Sequence, residues 1–535
     1  MGKTPNTTSI NRLDKKASRK AKTTRAESYR SPLELRYASD EMLYLFSAEA
    51  KAKTWRQLWL YLAEGQKKYG LPIKPEAIRQ MRQNVGEIDF SRVEHYETKF
   101  RHEVMAHIYA FGEVAPAASG IMHLGATSVY VIDNTDIIEM RTALLLIKKK
   151  VINIIENLKA QAKRYKNLPT LGYTHFQPAQ ITTVGKRFTL YIQELLLDLE
   201  EVDYIIETLP FRGIKGATGT QASFLTLFAK GRSAEEKTKA SNTVQKLDEW
   251  IAQKCGFKKD RLLIVTGQTS SRKLDYRIAS WLSSVAQTAS KFATDLRLLQ
   301  HKKEIEEPFE KDQIGSSAMP YKRNPMRSER ICSLARFIMS LPNTFAYTAS
   351  TQWLERTLDD SANRRISMPE AFLATDGMLE LMRNITGNLV IYPEMIDKNL
   401  QLELPIIVLE TLMLRHIRKK GANRQKLHET TREIAMTLHE KIKYQTLDHP
   451  HEPLLDLKPK LMEKYNLTEA ELTYFINPNN LMGRSEEQVD AFIKKLQKCL
   501  AASKNQFKSY EKHFKFYGEK LSIKSFDKKA PKIKV

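Results

Sequence analysis

One stretch of the chain, Gly315–Arg330, collects a hydroxyl, cations and an amide that could act together on an anionic substrate; it reads GSSAMPYKRNPMRSER. Gly315 can supply backbone conformations closed to other residues, and Ser316 follows it at once, so a mobile loop could carry a hydroxyl over a substrate. Lys322 is a compact point charge suited to a carboxylate, and Asn324 is a neutral donor. A surface loop also collects Ser, Pro and Lys, so the order of the residues is more informative than their composition.

That order resembles the signature loop of the fumarase/aspartase superfamily, G-S-S-x-M-P-x-K-x-N-P. The form MPYKRNP, with Arg323 after the lysine, resembles the superfamily members that act on nucleotides. The resemblance extends from about Tyr29 to about residue 500. It implies an all-α fold of three domains with a central bundle of long helices, which forms a multi-helix core in a homotetramer. Each active site would then draw on three subunits.

The reaction implied by the resemblance is an elimination, in which fumarate leaves a small-molecule succinylated purine nucleotide without any cofactor. Such a reaction needs a base, an acid for the departing nitrogen and cations for the dianionic enolate; the last contribution is usually the largest. The matching positions make Ser316 the general base and His175 the general acid, with Glu329 orienting or charge-balancing that histidine. Because serine is a poor base, Lys322, backbone N–H groups or a helix N-terminus would have to stabilise its alkoxide.

Three further segments carry the same resemblance. Arg101-His102-Glu103 is similar to the family's R-H-D, although Glu103 adds a methylene to the family's aspartate. His123–Ser128 resembles H-x-G-x-T-S, and Thr174–Pro178 resembles T-H-x-Q-P. The resemblance implies that His102 and His123 help to hold the substrate. A lone histidine in a helix is usually structural, and helix capping alone would also explain a Thr-Ser pair.

The resemblance also supplies substrate-binding positions. Those for the succinyl carboxylates are Thr127, Ser128, Gln268, Lys322 and Asn324. Those for the nucleotide phosphate are Arg36, Tyr37, Arg356, Ser361 and Arg365, with Arg330 close by. Arg101, His102, Glu103, His123 and Thr174 complete the set. An Arg/Ser cluster is what phosphate recognition requires. A solvated helix face with i,i+4 pairs would explain the arginines equally well without the family.

Other kinds of catalytic site find less support in the sequence. No G-x-S-x-G elbow surrounds Ser316, which argues against a Ser–His–acid hydrolase. The chain has no H-E-x-x-H and no paired cysteines, so no metal site is predicted. The glycine-rich segment Arg212–Gln221 lacks the G-K-[ST] ending of a P-loop, and no strand pattern precedes it as a dinucleotide-binding fingerprint would require.

Long helices must position these motifs, which lie far apart in the sequence. Apolar spacing predicts one helix over Val93–Phe111 and others over about 136–166, 185–208, 326–348 and 362–386. A heptad seam, Ile278 to Leu299, predicts a helix that packs along another helix. Evidence for strands is weak throughout. Beyond about residue 390 the elements should be shorter, with breaks at Pro393, Pro405, Pro453 and Pro478.

These elements predict five parts of the chain: a basic disordered tail (1–27), an N-terminal helical domain (28–128), a central helical bundle (129–390) with the signature loop (312–328), a C-terminal helical domain (391–503) and a Lys-rich extension (504–535). The extension could be a tail or could lie on the body. Residues 1–30 and 503–535 each carry a net charge of +7, out of +24 for the chain. Such ends could attract nucleic acid non-specifically, and the remaining charge suits an anionic small molecule.

The compartment is predicted from what the sequence lacks. No run of 18 apolar residues occurs among the 535, and the N-terminus has no apolar core of a secretory signal, so neither a membrane span nor secretion is expected. Cys255, Cys332 and Cys499 are far apart and read as reduced thiols. A cytoplasmic location is therefore expected.

Three alternatives remain open from the sequence. The chain could be a superfamily lyase for argininosuccinate, aspartate or malate, although Arg323 and the Arg356–Arg365 run count against these substrates. It could be a binding or structural protein that kept the fold and lost catalysis, although every matching catalytic position is present. It could bind nucleic acid through its tails, although it has no recognised motif for that.

Overall fold

The computed structural model describes residues 28–418, 421, 423–446, 453–510, 517 and 521. The helices are α1 Asp40–Leu45, α2 Ala48–Lys68, α3 Pro75–Gln83, α4 Phe90–Phe100, α5 Glu103–Val114, α6 Ser128–Arg164, α7 Val184–Thr208, α8 Ala222–Phe228, α9 Ala234–Lys254, α10 Lys273–His301, α11 Met326–Ser340, α12 Pro342–Ser350, α13 Asp360–Gly387, α14 Pro393–Ile417, α15 Arg424–Lys443, α16 Pro453–Tyr465, α17 Glu469–Phe475 and α18 Ser485–Tyr510. The strands are β1 Pro169–Thr174, β2 Gln177–Thr183, β3 Ile305–Glu306 and β4 Val390–Ile391. Both pairs, β1 with β2 and β3 with β4, are antiparallel.

Four long helices, α6, α7, α10 and α13, form the centre of the fold and confirm the predicted all-α bundle. Contacts near both ends fix the direction of three of them. Arg272, which precedes α10, pairs with Asp133 near the start of α6 and with Asp360 at the start of α13. Further along, Lys150 of α6 pairs with Asp376 of α13, and β3, which follows α10, pairs with β4, which follows α13. α6, α10 and α13 therefore run parallel, and α7 runs back between their ends. We call the end where these three helices begin the cavity end, and the end where they finish the loop end.

The predicted heptad seam is confirmed as the buried face of α10. Its seven members are no more than 8% exposed and belong to one continuous core. They are Ile278, Leu282, Val285, Ala289, Phe292, Leu296 and Leu299. α10 packs against α11 along its length, with α7, α12 and α13 also in contact. The seam therefore holds rigid the helix that connects the two ends of the bundle.

Two helices predicted as continuous are broken. The predicted helix over Val93–Phe111 divides into α4 and α5 because Arg101 adopts a left-handed conformation (φ 52°) and His102 an extended one (φ −147°). The predicted helix over 326–348 divides into α11 and α12 at Pro342, whose missing N–H is harmless at the first position of a helix. The first break places His102 at the N-cap of α5, where it faces outward.

The C-terminal part differs from the prediction of shorter elements. α14 and α18 contain 25 and 26 residues. Pro393 and Pro453 begin helices and Pro478 begins a 3₁₀ turn, as the predicted breaks require, but Pro405 lies inside α14 without ending it. α14–α17 surround a core of their own, which includes Leu412. α18 instead packs on α6 and α7.

The two charged ends fall largely outside the described residues, which begin at residue 28. Within the extension, residues 504–510 continue α18, and Tyr517 and Leu521 are buried in the central core at 3% and 2% exposure. The extension could have been a tail or could have packed on the body. Residues 504–510, Tyr517 and Leu521 pack on the body.

In the part of the chain that the structure describes, no helix is both long and apolar enough to cross a membrane. Across the same residues, no group of three or more His, Cys, Asp or Glu side chains could hold a metal ion.

Candidate active site

The loop that carries Ser316 connects β3 to α11 at the loop end of the bundle. Its two arms meet where the Asn324 side-chain amide donates a hydrogen bond to the carbonyl oxygen of Gly315 at 2.9 Å. A Cβ atom at Gly315 would lie 2.2 Å from the carbonyl oxygen of Lys322. Glycine is needed here for close packing of two backbone segments, and its φ is not positive, so the expectation of a special backbone conformation is wrong.

The Ser316 hydroxyl accepts hydrogen bonds from two backbone N–H groups of its own loop. Its Oγ accepts hydrogen bonds from the backbone N–H groups of Met319, at 3.2 Å, and Ala318, at 3.4 Å. Hydrogen bonds that a group receives in its ionised form favour that form. These two N–H groups would therefore help a serine alkoxide to exist. Lys322 lies exposed on the same loop.

Glu307 holds the base of this loop, and sequence reasoning did not identify it. Its two carboxylate oxygens accept hydrogen bonds from the backbone N–H groups of Arg327 (3.0 Å) and Ser328 (2.9 Å), and from the Ser328 hydroxyl (2.8 Å). Burial raises the pKa of Glu307, although these donors oppose the rise. The carboxylate caps α11 from 20 residues upstream, a distance at which no local sequence signal exists. Glu329 and Arg330 lie in the turn that it fixes, exposed and half-buried.

His175 occupies the tip of the β1–β2 hairpin at the same end of the bundle. Thr174 pairs with Gln177, so His175 and Phe176 form a two-residue turn, and both have positive φ (52° and 60°). This turn geometry normally selects Asn and Gly, and other residues adopt it at a cost. The hairpin is supported where Tyr173 donates a hydrogen bond to Glu304 at 3.4 Å. His175 is therefore exposed at the tip of the hairpin, in a backbone conformation that its side chain does not favour.

A cavity of about 400 Å³ lies at the opposite, cavity end, between α2, α5, α6 and the start of α13. Four predicted binding residues line it: Glu103, Arg356, Ser361 and Arg365. Glu103 forms ion pairs with Lys51 (2.7 Å) and Arg365 (2.6 Å). Burial alone would raise the pKa of Glu103, but these two cations outweigh it and lower the pKa. The cavity therefore presents two arginines and a serine beside a fixed carboxylate.

Deeper arginines keep this cation cluster in place and were not predicted. Arg364 pairs with Asp275 at 2.6 Å and with Asp136 at 2.7 Å, and Arg272 pairs with Asp360 at 2.7 Å. All of these groups except Asp136 are buried. Because Arg364 is fully engaged by carboxylates, the positive charge left for a ligand is that of its neighbours. Arg365 keeps 55% of its side chain exposed, and Arg356 keeps 22%.

His123 is held as a neutral donor near this end. The indole Nε1 of Trp59 donates to its Nδ1 at 2.9 Å, and its φ is positive at 65°. Burial, with a smaller contribution from His102, lowers the pKa of His123 to about 4. With Nδ1 accepting, the proton of a neutral imidazole resides on Nε2. His102 itself accepts a hydrogen bond at Nδ1 from the Met105 backbone N–H, at 3.3 Å.

Thr127 and Ser128 open α6 at the cavity end. Thr127 is the N-cap, yet its buried Oγ1 has no hydrogen-bond partner, so capping does not account for it. Gln268 is fixed nearby, because its backbone N–H donates to the Glu355 carbonyl oxygen at 2.9 Å. These positions leave a hydroxyl and the N-terminus of a 37-residue helix available to an anion.

The predicted Arg36-Tyr37 pair lies in a one-turn π-helix, Leu33–Tyr37, that packs on α13. A Cβ atom at Gly377 of α13 would lie 2.7 Å from the Cβ of Tyr37, so Tyr37 is held against that helix. Arg36 is exposed, and neither residue lines the cavity. In one chain the structure does not bring this pair into the cavity with the other phosphate-binding candidates.

Apart from Arg36 and Tyr37, which pack near Gly377 within α13, the predicted site residues form two groups at opposite ends of one bundle. α6 contains 37 residues, and at about 1.5 Å per residue it separates Thr127 from the hairpin of His175 by roughly 55 Å. α10 contains 29 residues, and in the same way it separates Gln268 from the loop of Ser316 by roughly 43 Å. No single chain can therefore place Ser316 or His175 against the cavity.

Comparison with known proteins identifies the family. A family described as "Lyase" matches residues 37–340. Adenylosuccinate lyase from Schizosaccharomyces pombe is 47% identical over 471 residues, which cover 88% of this chain and 94% of that protein. The enzyme of the same name from Saccharomyces cerevisiae is 47% identical, over 88% of this chain and 95% of that protein. The one from Schistosoma mansoni is 44% identical, over 90% of this chain and 98% of that protein.

Solved structures agree on the fold. The 3-carboxy-cis,cis-muconate lactonizing enzyme from Pseudomonas putida superposes with a TM-score of 0.73 at 20% identity, over 87% of this chain and 98% of its own. A fumarate lyase from Mesorhizobium sp. BNC1 gives a TM-score of 0.71 at 19% identity, over 86% and 98%. The identity and coverage of the named relatives, together with this fold, show that the chain belongs to the adenylosuccinate lyase family of the fumarase/aspartase superfamily.

Proposed function

We propose that this chain eliminates fumarate from adenylosuccinate, giving AMP, and from the succinyl-carboxamide ribotide of purine synthesis. The observation that supports this substrate class most directly is the cavity, where Arg356, Ser361 and Arg365 face one space. Paired guanidinium groups with a hydroxyl are suited to a phosphate. Arg36, Tyr37 and Arg330 would contribute from elements that lie outside the cavity of the same chain.

The chemical step follows from the two groups at the loop end. Ser316, as an alkoxide, removes the proton from the succinyl carbon next to the one that bears nitrogen. The electron pair of that C–H bond forms the double bond of fumarate, the C–N bond breaks, and His175 donates a proton to the departing nitrogen. Lys322 and Asn324, with Thr127, Ser128 and Gln268, hold the carboxylates and the charge that develops on them. Glu329 balances the charge on His175.

We propose a homotetramer as the active form, because the two groups of residues have to come from different chains. The outer face of α7 supports this proposal. It exposes Leu190, Leu197 and Tyr204 at 51%, 57% and 63%, at seven-residue intervals along one face. An apolar stripe with this spacing fits against another helix. A cytoplasmic location is part of the same proposal.

The direct test is turnover. Purified protein should release fumarate from adenylosuccinate and from the carboxamide ribotide, with no release from argininosuccinate or malate. Ser316→Ala should lower kcat by at least about a hundredfold, the scale of one positioned acid–base group. Gly86→Ala is the control, since a Cβ at Gly86 meets nothing within 4 Å. Turnover of argininosuccinate alone would overturn the substrate assignment, and an unimpaired Ser316→Ala variant would overturn the role of the serine.

A further inference from the structure

Two buried polar side chains on the wall of the cavity have no assigned role. Glu139 of α6 is 8% exposed and His107 of α5 is 7% exposed, and both line the cavity. The Oε1 atom of Glu139 and the Nδ1 atom of His107 have no hydrogen-bond partner. Oδ1 of Asp360 shares this property, but the other oxygen of that carboxylate accepts from Arg272 at 2.7 Å. Buried polar atoms are nearly always paired, so a ligand or water is expected to meet these two.

Burial favours the uncharged form of both side chains. Burial, reinforced by the charge of Asp136, raises the pKa of Glu139 well above its usual range, against the opposing effect of Lys51. Burial lowers the pKa of His107 to about 4, against the opposing effect of Glu103. A neutral carboxylic acid both donates and accepts a hydrogen bond, and so does a neutral imidazole. This wall of the cavity therefore suits an uncharged group with both capacities.

The position of Glu139 and His107 along the cavity wall indicates which part of a bound nucleotide would meet them. Glu103 contacts both Arg365 and Lys51. His107 lies one turn after Glu103 on α5, and the charge of Lys51 acts on both Glu139 and His107. Along the cavity wall, Glu139 and His107 therefore lie further from Arg365 than Glu103 does. In a nucleotide, the group one step from the phosphate is the ribose, whose hydroxyls donate and accept.

Building on the proposed function, we propose that Glu139 and His107 bind the ribose hydroxyl groups of the nucleotide and discriminate ribonucleotides from deoxyribonucleotides. A site that hydrogen-bonds a substrate hydroxyl rejects the analogue that lacks it, because its own buried groups are then left unpaired. The effect should appear in KM, since the ribose is remote from the breaking C–N bond.

The experiment compares adenylosuccinate with its 2′-deoxy and 3′-deoxy analogues on the full chain. Wild-type protein should show a KM roughly three- to tenfold higher for at least one analogue, the scale of one neutral hydrogen bond. Glu139→Gln keeps a donor and an acceptor and should keep that ratio. Glu139→Leu should raise the KM for adenylosuccinate by a similar factor. Its KM for the discriminated analogue should stay within about twofold of the wild-type value. The ratio of the two KM values should therefore fall to about one. Glu156→Gln, on the same helix but paired with Lys159 and Lys504, is the control.

The possible results test the proposed function and the ribose assignment separately. No fumarate release by wild-type protein would refute the proposed function itself. Release with equal KM for all three substrates would overturn the ribose assignment alone and leave ordered water as the occupant. An equal rise in KM for all substrates in Glu139→Leu would also overturn it, by indicating a structural role. Should that variant fail to fold, equal KM values for the three substrates in wild-type protein would still overturn the assignment.

Discussion

The indole Nε1 of Trp59 donates a hydrogen bond to Nδ1 of His123 at 2.9 Å. This contact selects the tautomer whose Nε2–H can point toward a substrate. Trp59→Phe keeps a ring in the core and removes the donor. We expect kcat/KM for adenylosuccinate to fall about tenfold, the scale of one lost hydrogen bond together with an unfixed tautomer.

The matched control for this prediction is Trp55→Phe. Trp55 is equally buried on the same helix, and its Nε1 has no hydrogen-bond partner. Both substitutions should lower the unfolding midpoint similarly. Equal losses of kcat/KM in the two variants would mean that packing, and not the tautomer of His123, is responsible.

The stability of the protein should fall as the pH falls from about 6.5 to about 4, partly through His107. The folded-state pKa of this histidine is lowered to about 4, and the unfolded value is about 6.5. Between these values the unfolded chain binds the additional proton, so the free energy of unfolding rises with pH in this window. We expect His107 to contribute roughly 1–3 kcal/mol. Urea unfolding of wild type and His107→Gln across this range should show a shallower pH dependence in the variant; parallel curves would contradict the prediction.

The loop should not tolerate a side chain at Gly315. The added Cβ would lie 2.2 Å from the Lys322 carbonyl oxygen, which is backbone and cannot rotate away. Gly315→Ala should displace Ser316, and a misplacement of about 1 Å can cost roughly a hundredfold in rate. Binding of AMP at the cavity should be unchanged, which titration calorimetry can measure. A kcat within a few fold of wild type would show that the loop adopts another path during turnover.

Two inactive variants should restore activity when their subunits mix. Ser316→Ala disables the loop end and Arg356→Ala the cavity end, and the bundle keeps these ends of one chain apart. In randomly mixed oligomers, about one quarter of the sites would combine an intact loop with an intact cavity. Co-refolded or co-expressed protein should recover activity toward that fraction, whereas mixing after assembly should not. Absence of recovery, with mixed oligomers verified by a tag on one variant, would exclude sites shared in this way.

The sequence nominates the candidate site residues, but it does not give their placement in the fold. The heptad of α10 is a local pattern, and its predicted buried face is confirmed. The signature loop is also a local pattern, although α11 already begins at Met326, inside the predicted range 312–328. The break at Arg101 was missed because a left-handed arginine has no signal in apolar spacing. Pro405 was read as a break, yet tertiary contacts of α14 keep the helix continuous. Glu307, Arg272 and Arg364 act through partners 20 to 228 residues away, which only the fold reveals.

The apolar stripe on α7 has a consequence for how variants of this chain are interpreted. These residues, Leu190, Leu197 and Tyr204, touch no reacting atom, but in the proposed tetramer they would contact another chain. A polar replacement there would leave every catalytic side chain intact and still abolish turnover at low protein concentration. In a mutational screen, such a change would be indistinguishable from a defect in chemistry until the assay was repeated at higher concentration.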